Sequence, residues 1–209
     1  METTMRKVIV NEFLSLDGVM QSPGYPDEDR EGDFEHGGWQ QSYFDEVFGA
    51  ALQEGFASTG GLVLGRKTYE IFAAHWPKAG DDDPIAATMN GFDKFVVSNT
   101  LEKVEWVNSH LIKGDEAAEI AKLRQQSGKD LRVIGSGDLV HTLMEADLID
   151  EYQLMIHPIL LGSGKRLFRD SSTTTPLRLI DSRTSSTGVL ILTYQPEKET
   201  ASAEARETA

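Results

Sequence analysis

The residues whose types and spacing best suit chemistry are Gly65-Arg66-Lys67-Thr68, which directly follow the apolar run Gly61-Leu62-Val63-Leu64. A strand that ends in glycine and turns into a helix leaves unpaired backbone N–H groups at the helix start, where an anion is favoured. Gly65 lets a bulky anion approach the backbone. Arg66 and Lys67 bring positive charge, and the Thr68 hydroxyl can accept an amide bond as a cap or donate to phosphate. The same stretch also suits an ordinary capped helix, and by itself it does not decide between the two.

A second turn repeats the logic. Leu131-Arg132-Val133-Ile134 delivers Gly135-Ser136-Gly137 to a helix that starts at Asp138-Leu139-Val140. Two glycines at such a turn leave room for backbone amides to meet a pyrophosphate. Position 140 is valine and no Gly-Lys-Ser/Thr follows, so neither the Gly-x-Gly-x-x-Gly fingerprint nor the ATPase phosphate loop is complete. A third strand end, Ser98-Asn99-Thr100, can hold phosphate or ribose through hydroxyl and amide groups, or can simply form a polar turn.

Candidates for proton transfer are carboxylates. Asp17, in the turn Asp17-Gly18, either caps that turn or faces a ligand at a strand end. Asp45 is either a functional acid or a solvated one. His36 lies in a polar loop and is a weak candidate, and His157, before Pro158, reads as a packed side chain. No nucleophile, metal cluster or paired carboxylates stand out, which points away from hydrolysis. A hydride carrier fits better, because its reactive chemistry belongs to the cofactor and the protein supplies orientation.

Those residues need elements to position them. An apolar strand begins at Lys7, and further strands are expected over 60–64, 93–100, 104–107, 129–134, 149–157, 177–184 and 189–195. Helices are expected over 40–57, 68–74, 85–89 and 116–123, and from Asp138 onward. His75-Trp76-Pro77 ends the second of these, and Trp76 either lines a pocket or closes the core. Residues 20–38 are too polar and too punctuated by Pro and Gly for a regular element, which suggests a lid or a disordered loop. The order is strand, helix, strand, helix, with a terminal hairpin: an α/β domain over 6–195, with a mostly parallel sheet and an antiparallel hairpin at its C-terminal end. Residues 1–5 and the acidic tail 196–209 are expected to be disordered and flexible.

Composition narrows the function. The chain has 209 residues, 39% of them hydrophobic, and a formal net charge of −14. That charge disfavours general nucleic-acid binding, yet a local basic cluster can still hold an anionic cofactor. Without cysteine there is no disulfide, thiolate nucleophile or cysteine metal site, and no metal is expected. No run approaches a membrane span, and Met1 to Lys7 lacks the apolar core of a signal peptide, so the expected setting is the cytoplasm.

Five motifs in order resemble the dihydrofolate-reductase-like superfamily, and most closely the reductase domain at the C-terminus of the bifunctional riboflavin biosynthesis deaminase/reductase. They are Ser15-Leu16-Asp17-Gly18, Gly65-Arg66-Lys67-Thr68-Tyr69-Glu70, Val97-Ser98-Asn99-Thr100, Ile134-Gly135-Ser136-Gly137 and His157-Pro158-Ile159-Leu160-Leu161-Gly162-Ser163-Gly164. The resemblance implies a three-layer fold and an NADPH-dependent reductase. Arg66 and Lys67 would lie near the 2'-phosphate, with Ser98 and Asn99 helping. Thr68 and the amides of Gly135, Ser136 and Gly137 would hold the pyrophosphate. Asp17 would face the nicotinamide or substrate, and Asp45 falls roughly where dihydrofolate reductase carries its acid. The deaminase half and its zinc signature are absent. The expected activity is hydride transfer to a small pterin-, pyrimidine- or similar conjugated substrate, related to 5-amino-6-(5-phosphoribosylamino)uracil reductase. The alternatives are true dihydrofolate reduction and a non-catalytic nicotinamide-nucleotide-binding regulator. The family and the apolar final hairpin also suggest a homodimer.

Overall fold

Most of the strands and helices expected from the sequence form, and they assemble into one sheet with helices on both faces. In the computed structural model, which describes residues 5–80, 83–169 and 174–197, the strands are β1 (Val8–Ser15), β2 (Thr59–Gly65), β3 (Lys94–Val97), β4 (Ser109–Ile112), β5 (Asp130–Ile134), β6 (Glu151–His157), β7 (Leu177–Thr184) and β8 (Leu190–Pro196). The helices are α1 (Glu46–Ser58), α2 (Arg66–His75), α3 (Pro84–Gly91), α4 (Glu116–Arg124) and α5 (Gly137–Glu145). The sheet order is β4-β3-β2-β5-β1-β6-β8-β7. Pairing is parallel from β4 to β6; β8 then runs antiparallel to β6, and β7 antiparallel to β8.

Central strands covered on both faces must be apolar on both. Val8, Val10, Leu62, Val63, Leu64, Leu131 and Val133 are accordingly all fully buried. On one face Val10, Leu14, Val63 and Val133 pack against Ile120 of α4 and Leu139, Val140 and Leu143 of α5. On the other, Leu62, Leu64 and Val96 pack against Tyr69 of α2 and Met89 of α3, while Phe48 of α1 meets Met155 and Ile191. Three layers result, with α1, α2 and α3 opposite α4 and α5.

The helix starts fall into two groups. Asp45, Asp83 and Asp115 cap α1, α3 and α4 through side-chain bonds to the first-turn amides. By contrast α2 starts after Gly65 and α5 after Ser136 with no side-chain cap. Those two helices begin at the motifs singled out above.

Several boundaries move. The helix expected over 40–57 is a short 3-10 turn, Gln41–Tyr43, followed by α1, and Asp45 caps α1 instead of riding on it. The strand expected over 104–107 does not form. Instead the amides of Glu105 and Trp106 donate to the Tyr69 hydroxyl at 2.9 and 3.1 Å, and the Trp106 indole donates to Asn90 at 2.6 Å. With those backbone groups bound to side chains, the edge strand starts only at Ser109. β3 stops at Val97 because the Ser98 hydroxyl accepts from the amides of Thr100 and Leu101.

Residues 20–38 form neither helix nor strand, yet they are pinned. Gln21 donates to the carbonyls of Asp29 and Glu31, Glu28 accepts from the amides of Gly24 and Tyr25, and the Trp39 indole donates to the Gln21 carbonyl. Phe34 and Trp39 are buried against Val19. The expected disordered start over 1–5 and flexible tail over 196–209 lie outside the described residues, apart from Met5, Pro196 and Glu197.

Candidate active site

β1 pairs with β5 only as far as Asn11↔Ile134, but stays paired with β6 as far as Ser15↔His157. Beyond Asn11 the sheet therefore splits at the C-terminal ends of its central strands, the usual place for a site in an open α/β sheet. A cavity of about 760 Å³ opens there, and Asn11, Glu12 and Phe13 line it from β1.

One end of the cavity is built from the two uncapped helix starts. The Gly65 N–H donates to the Ser136 hydroxyl at 2.9 Å, which ties the turns together. Gly135 has φ 59°, and a Cβ added to it would lie 2.9 Å from the Thr68 hydroxyl. A side chain there would be strained and would clash, so glycine is required. Ser136 also takes a left-handed φ of 63°, which turns the chain sharply into α5.

The cations around this end already have acidic partners. Lys67 pairs with Glu31, Arg66 lies 4.0 Å from Glu70, and Arg169 lies 2.6 Å from Asp138. Lys165 holds Asp29 at 2.6 Å and Glu31 at 2.7 Å. Lys165 and Lys67 together depress Glu31 to about 2. These pairs tie the 20–38 segment to α2 and to Lys165, all of which line the cavity, and a phosphate could exchange with the carboxylates that now occupy the cations.

The other end is aromatic. Tyr25, Phe44, Phe48, Phe56, Phe72 and Trp76 line it, with Gln40 among them. Trp76 thus serves the pocket, one of the two roles open to it. The Tyr25 hydroxyl meets His75 at 2.5 Å and links the covering segment to α2. Among the described residues, six buried side-chain polar atoms have no partner, and three of them, Glu12 Oε1, Gln40 Oε1 and Trp76 Nε1, belong to residues that line this cavity. Buried polar atoms are normally paired, so the clustering marks where a ligand's polar groups fit.

The structure brings Gly65, Arg66, Lys67, Thr68, Gly135, Ser136 and Gly137 to one cavity wall. Ser98 and Asn99 stand just beyond Val97, which pairs with Gly65, so they flank the same wall without lining the cavity. Asn99 is spent on Gly114, accepting from its amide at 2.8 Å.

The two carboxylates singled out for chemistry lie elsewhere. Asp17 does not line the cavity, contrary to the expectation that it faces the ligand. Its carboxylate accepts from the Ser15 hydroxyl at 2.6 Å and from the amides of Leu161 and Gly162 at 3.1 and 2.9 Å, and Arg166 lies 3.5 Å away. The Ser15 hydroxyl above all, with those two amides, holds it down at about 2. Asp45 caps α1 through the Phe48 amide at 2.8 Å and accepts from the Ser186 amide and hydroxyl at 2.6 and 2.7 Å. It too lies outside the cavity, and those contacts lower its pKa, the Phe48 amide most.

Sequence reading missed Glu12. The signal was an acid inside an apolar strand, Val8-Ile9-Val10-Asn11-Glu12-Phe13-Leu14. Its side chain is buried, and burial pushes its carboxyl well above the usual range, against the opposing pull of the Gly135 backbone. His157, also fully buried, donates through Nδ1 to the Leu14 and Met155 carbonyls and is ringed by Phe13, Trp39, Tyr43 and Phe48. Burial lowers its pKa, as a packed imidazole requires.

This strand order, with helices on both faces, a terminal hairpin and a crevice at the central strand ends, is the architecture of the dihydrofolate-reductase-like superfamily. The chain belongs to the RibD C-terminal domain family, whose profile matches residues 6–191. It is 30% identical over 140 residues to the uncharacterised protein YyaP of Bacillus subtilis (strain 168), covering 64% of this chain and 72% of YyaP. A crystal structure of a candidate riboflavin biosynthesis protein from Shewanella sp. PV-4 superposes with a TM-score of 0.65 at 25% identity, covering 92% of this chain and 99% of that one. The Thermotoga maritima diaminohydroxyphosphoribosylaminopyrimidine deaminase/5-amino-6-(5-phosphoribosylamino)uracil reductase shares the fold with a TM-score of 0.61 at 13% identity. There the match covers 92% of this chain and 57% of the longer enzyme. Among the described residues no helix is long and apolar enough to cross a membrane.

Proposed function

We propose that this protein is an NADPH-dependent reductase that transfers hydride to a small, planar, conjugated substrate of pterin or pyrimidine type. One observation carries the reading: a single cavity joins two uncapped, cation-flanked helix starts to an aromatic compartment with unpartnered polar atoms. The first part suits a dinucleotide's phosphates and the second a flat ring.

In this reading the amides of Gly135, Ser136 and Gly137, with Thr68, hold the pyrophosphate. Arg66 and Lys67 exchange their carboxylate partners for the 2'-phosphate, with Ser98 and Asn99 on the flank. When bound, NADPH supplies the hydride. The chain's own residues orient the acceptor between aromatic walls, exclude water through the 20–38 segment, and supply a proton. Asp17 and Asp45, both fully engaged, hold turns and do not touch substrate. The acids that the 20–38 segment brings to the cavity, Glu28, Asp29 and Glu31, favour a substrate without a phosphate of its own over the phosphoribosyl pyrimidine for which the Thermotoga enzyme is named.

Titrating cofactor-stripped protein with NADPH, NADH and NADP⁺ by nicotinamide fluorescence tests the reading. The expected result is preference for the 2'-phosphorylated forms; absence of binding would refute it, and preference for NADH would overturn the role of Arg66 and Lys67. A substrate screen then separates the alternatives, since true dihydrofolate reduction predicts dihydrofolate turnover and a regulator predicts binding without turnover. The exposed Leu177, Leu179 and Ile180 of β7 favour a homodimer, which sedimentation would show. A cytoplasmic setting accompanies an NADPH-consuming role.

A further inference from the structure

Glu12 is the first β1 residue beyond the last β1–β5 pair, so it sits at the floor of the crevice where those strands part. Its neighbours across β6 and along the same face, Leu154, Val10 and Leu14, are buried and apolar. Oε1 has no partner, and the Gly135 backbone, against the larger effect of burial, draws the carboxyl towards its charged form. It lies beside the Gly135 turn and lines the cavity that also holds the aromatic compartment.

We propose that Glu12 is the general acid of the reduction, which rests on the reductase reading above. The acceptor's polarised double bond takes a hydride, with its two electrons, from the dihydronicotinamide, which is oxidised. The acceptor's heteroatom takes a proton from Glu12 as the carboxyl O–H bond breaks. The carboxylate left behind regains its proton from water.

The other cavity acids suit this task less well. Asp29 and Glu31 are paired with Lys165, Glu31 also with Lys67, and Asp138 with Arg169. Glu28, which burial also raises, gives one oxygen to the amides of Gly24 and Tyr25. The charged groups that line the cavity with Glu12 are Asp138 from α5, Lys165 and Arg169 from the segment before β7, Arg66 and Lys67 from α2, and Glu28, Asp29 and Glu31 from the covering segment. Arg132 lies on the opposite face, where it holds Asn11. The acids in this set offset the cations, and apolar burial at Glu12 is left to keep the proton on.

Infrared difference spectroscopy of wild type, Glu12→Gln and Glu28→Gln, each with and without NADPH, tests the proposal. The expected result is a protonated-carboxyl band at neutral pH that vanishes only in Glu12→Gln and shifts when NADPH binds. No such band, a band lost in Glu28→Gln instead, or a band that NADPH leaves unmoved while binding, would overturn the acid and leave the reductase reading standing. Failure of wild type to bind NADPH would remove both. Urea denaturation gives a readout free of cofactor. Because Glu12 keeps its proton in the folded state and loses it in the unfolded chain, wild type should lose stability as pH rises from the ordinary carboxylate range through the raised folded value. Glu12→Gln should lack that loss, and identical pH profiles would count against the proposal.

Discussion

Arg132 and Glu12 are both buried ionisable side chains in the middle of the sheet, on opposite faces and three registers apart, yet their surroundings differ in kind. Arg132 donates to Thr59, Asn11, Gln153 and the Gly55 carbonyl at 2.7 to 2.9 Å, so each guanidinium nitrogen has a partner. Burial lowers its pKa only to about 10, so it stays charged. Glu12 has an unpartnered oxygen and a cavity beside it. A closed polar network ties strands together; an open one leaves a group available to something outside the chain.

Breaking the closed side should have the largest effect. Arg132→Ala takes the donor away from the Asn11, Thr59 and Gln153 oxygens and the Gly55 carbonyl together, and we expect a loss of about 3 kcal/mol or more in urea denaturation. On the open side, Glu12→Gln should leave the fold intact and slow turnover at neutral pH about 100-fold once an acceptor is found, the scale of a lost general acid. Arg66→Ala with Lys67→Ala should weaken NADPH binding about 10-fold, or about 1.4 kcal/mol, and leave NADH unchanged by the same fluorescence titration.

Asp17→Asn sharpens the comparison because Asp17 is an acid of the closed type. We expect a cost of about 1 kcal/mol and unaltered turnover. Asp17's folded pKa of about 2 lies below its ordinary value, so its stabilisation is present above the ordinary range and is lost as pH falls through about 2. The variant should lack that acid-side loss in a pH series of thermal melts. Altered turnover or an altered pH–rate profile in Asp17→Asn would restore it to the chemistry.

Much of the fold was legible because periodicity reports burial directly. The apolar runs at Val8, Leu62 and Leu131 are central strands, and the glycine turns at 65 and 135 start helices. The limits of such reading show at 104–107, which reads as a short edge strand. Tyr69, far away in sequence, takes the amides that a strand would pair. They show again at Asp17 and Asp45. Asp17 could cap its turn or face a ligand and Asp45 could be a functional or a solvated acid, and the positions of Leu161, Gly162 and Ser186 in space show what the two carboxylates bind.

The sequence by itself determined the layered α/β order and the two glycine-led helix starts, because local backbone geometry and side-chain period are properties of neighbouring residues. The tertiary structure alone decided how Asp17 and Glu12 are surrounded, because part of each environment comes from segments more than 100 residues away in the chain. Asp17 meets Leu161 and Gly162 across the fold, and the crevice at Glu12 exists only because β1 and β5 part after Asn11↔Ile134.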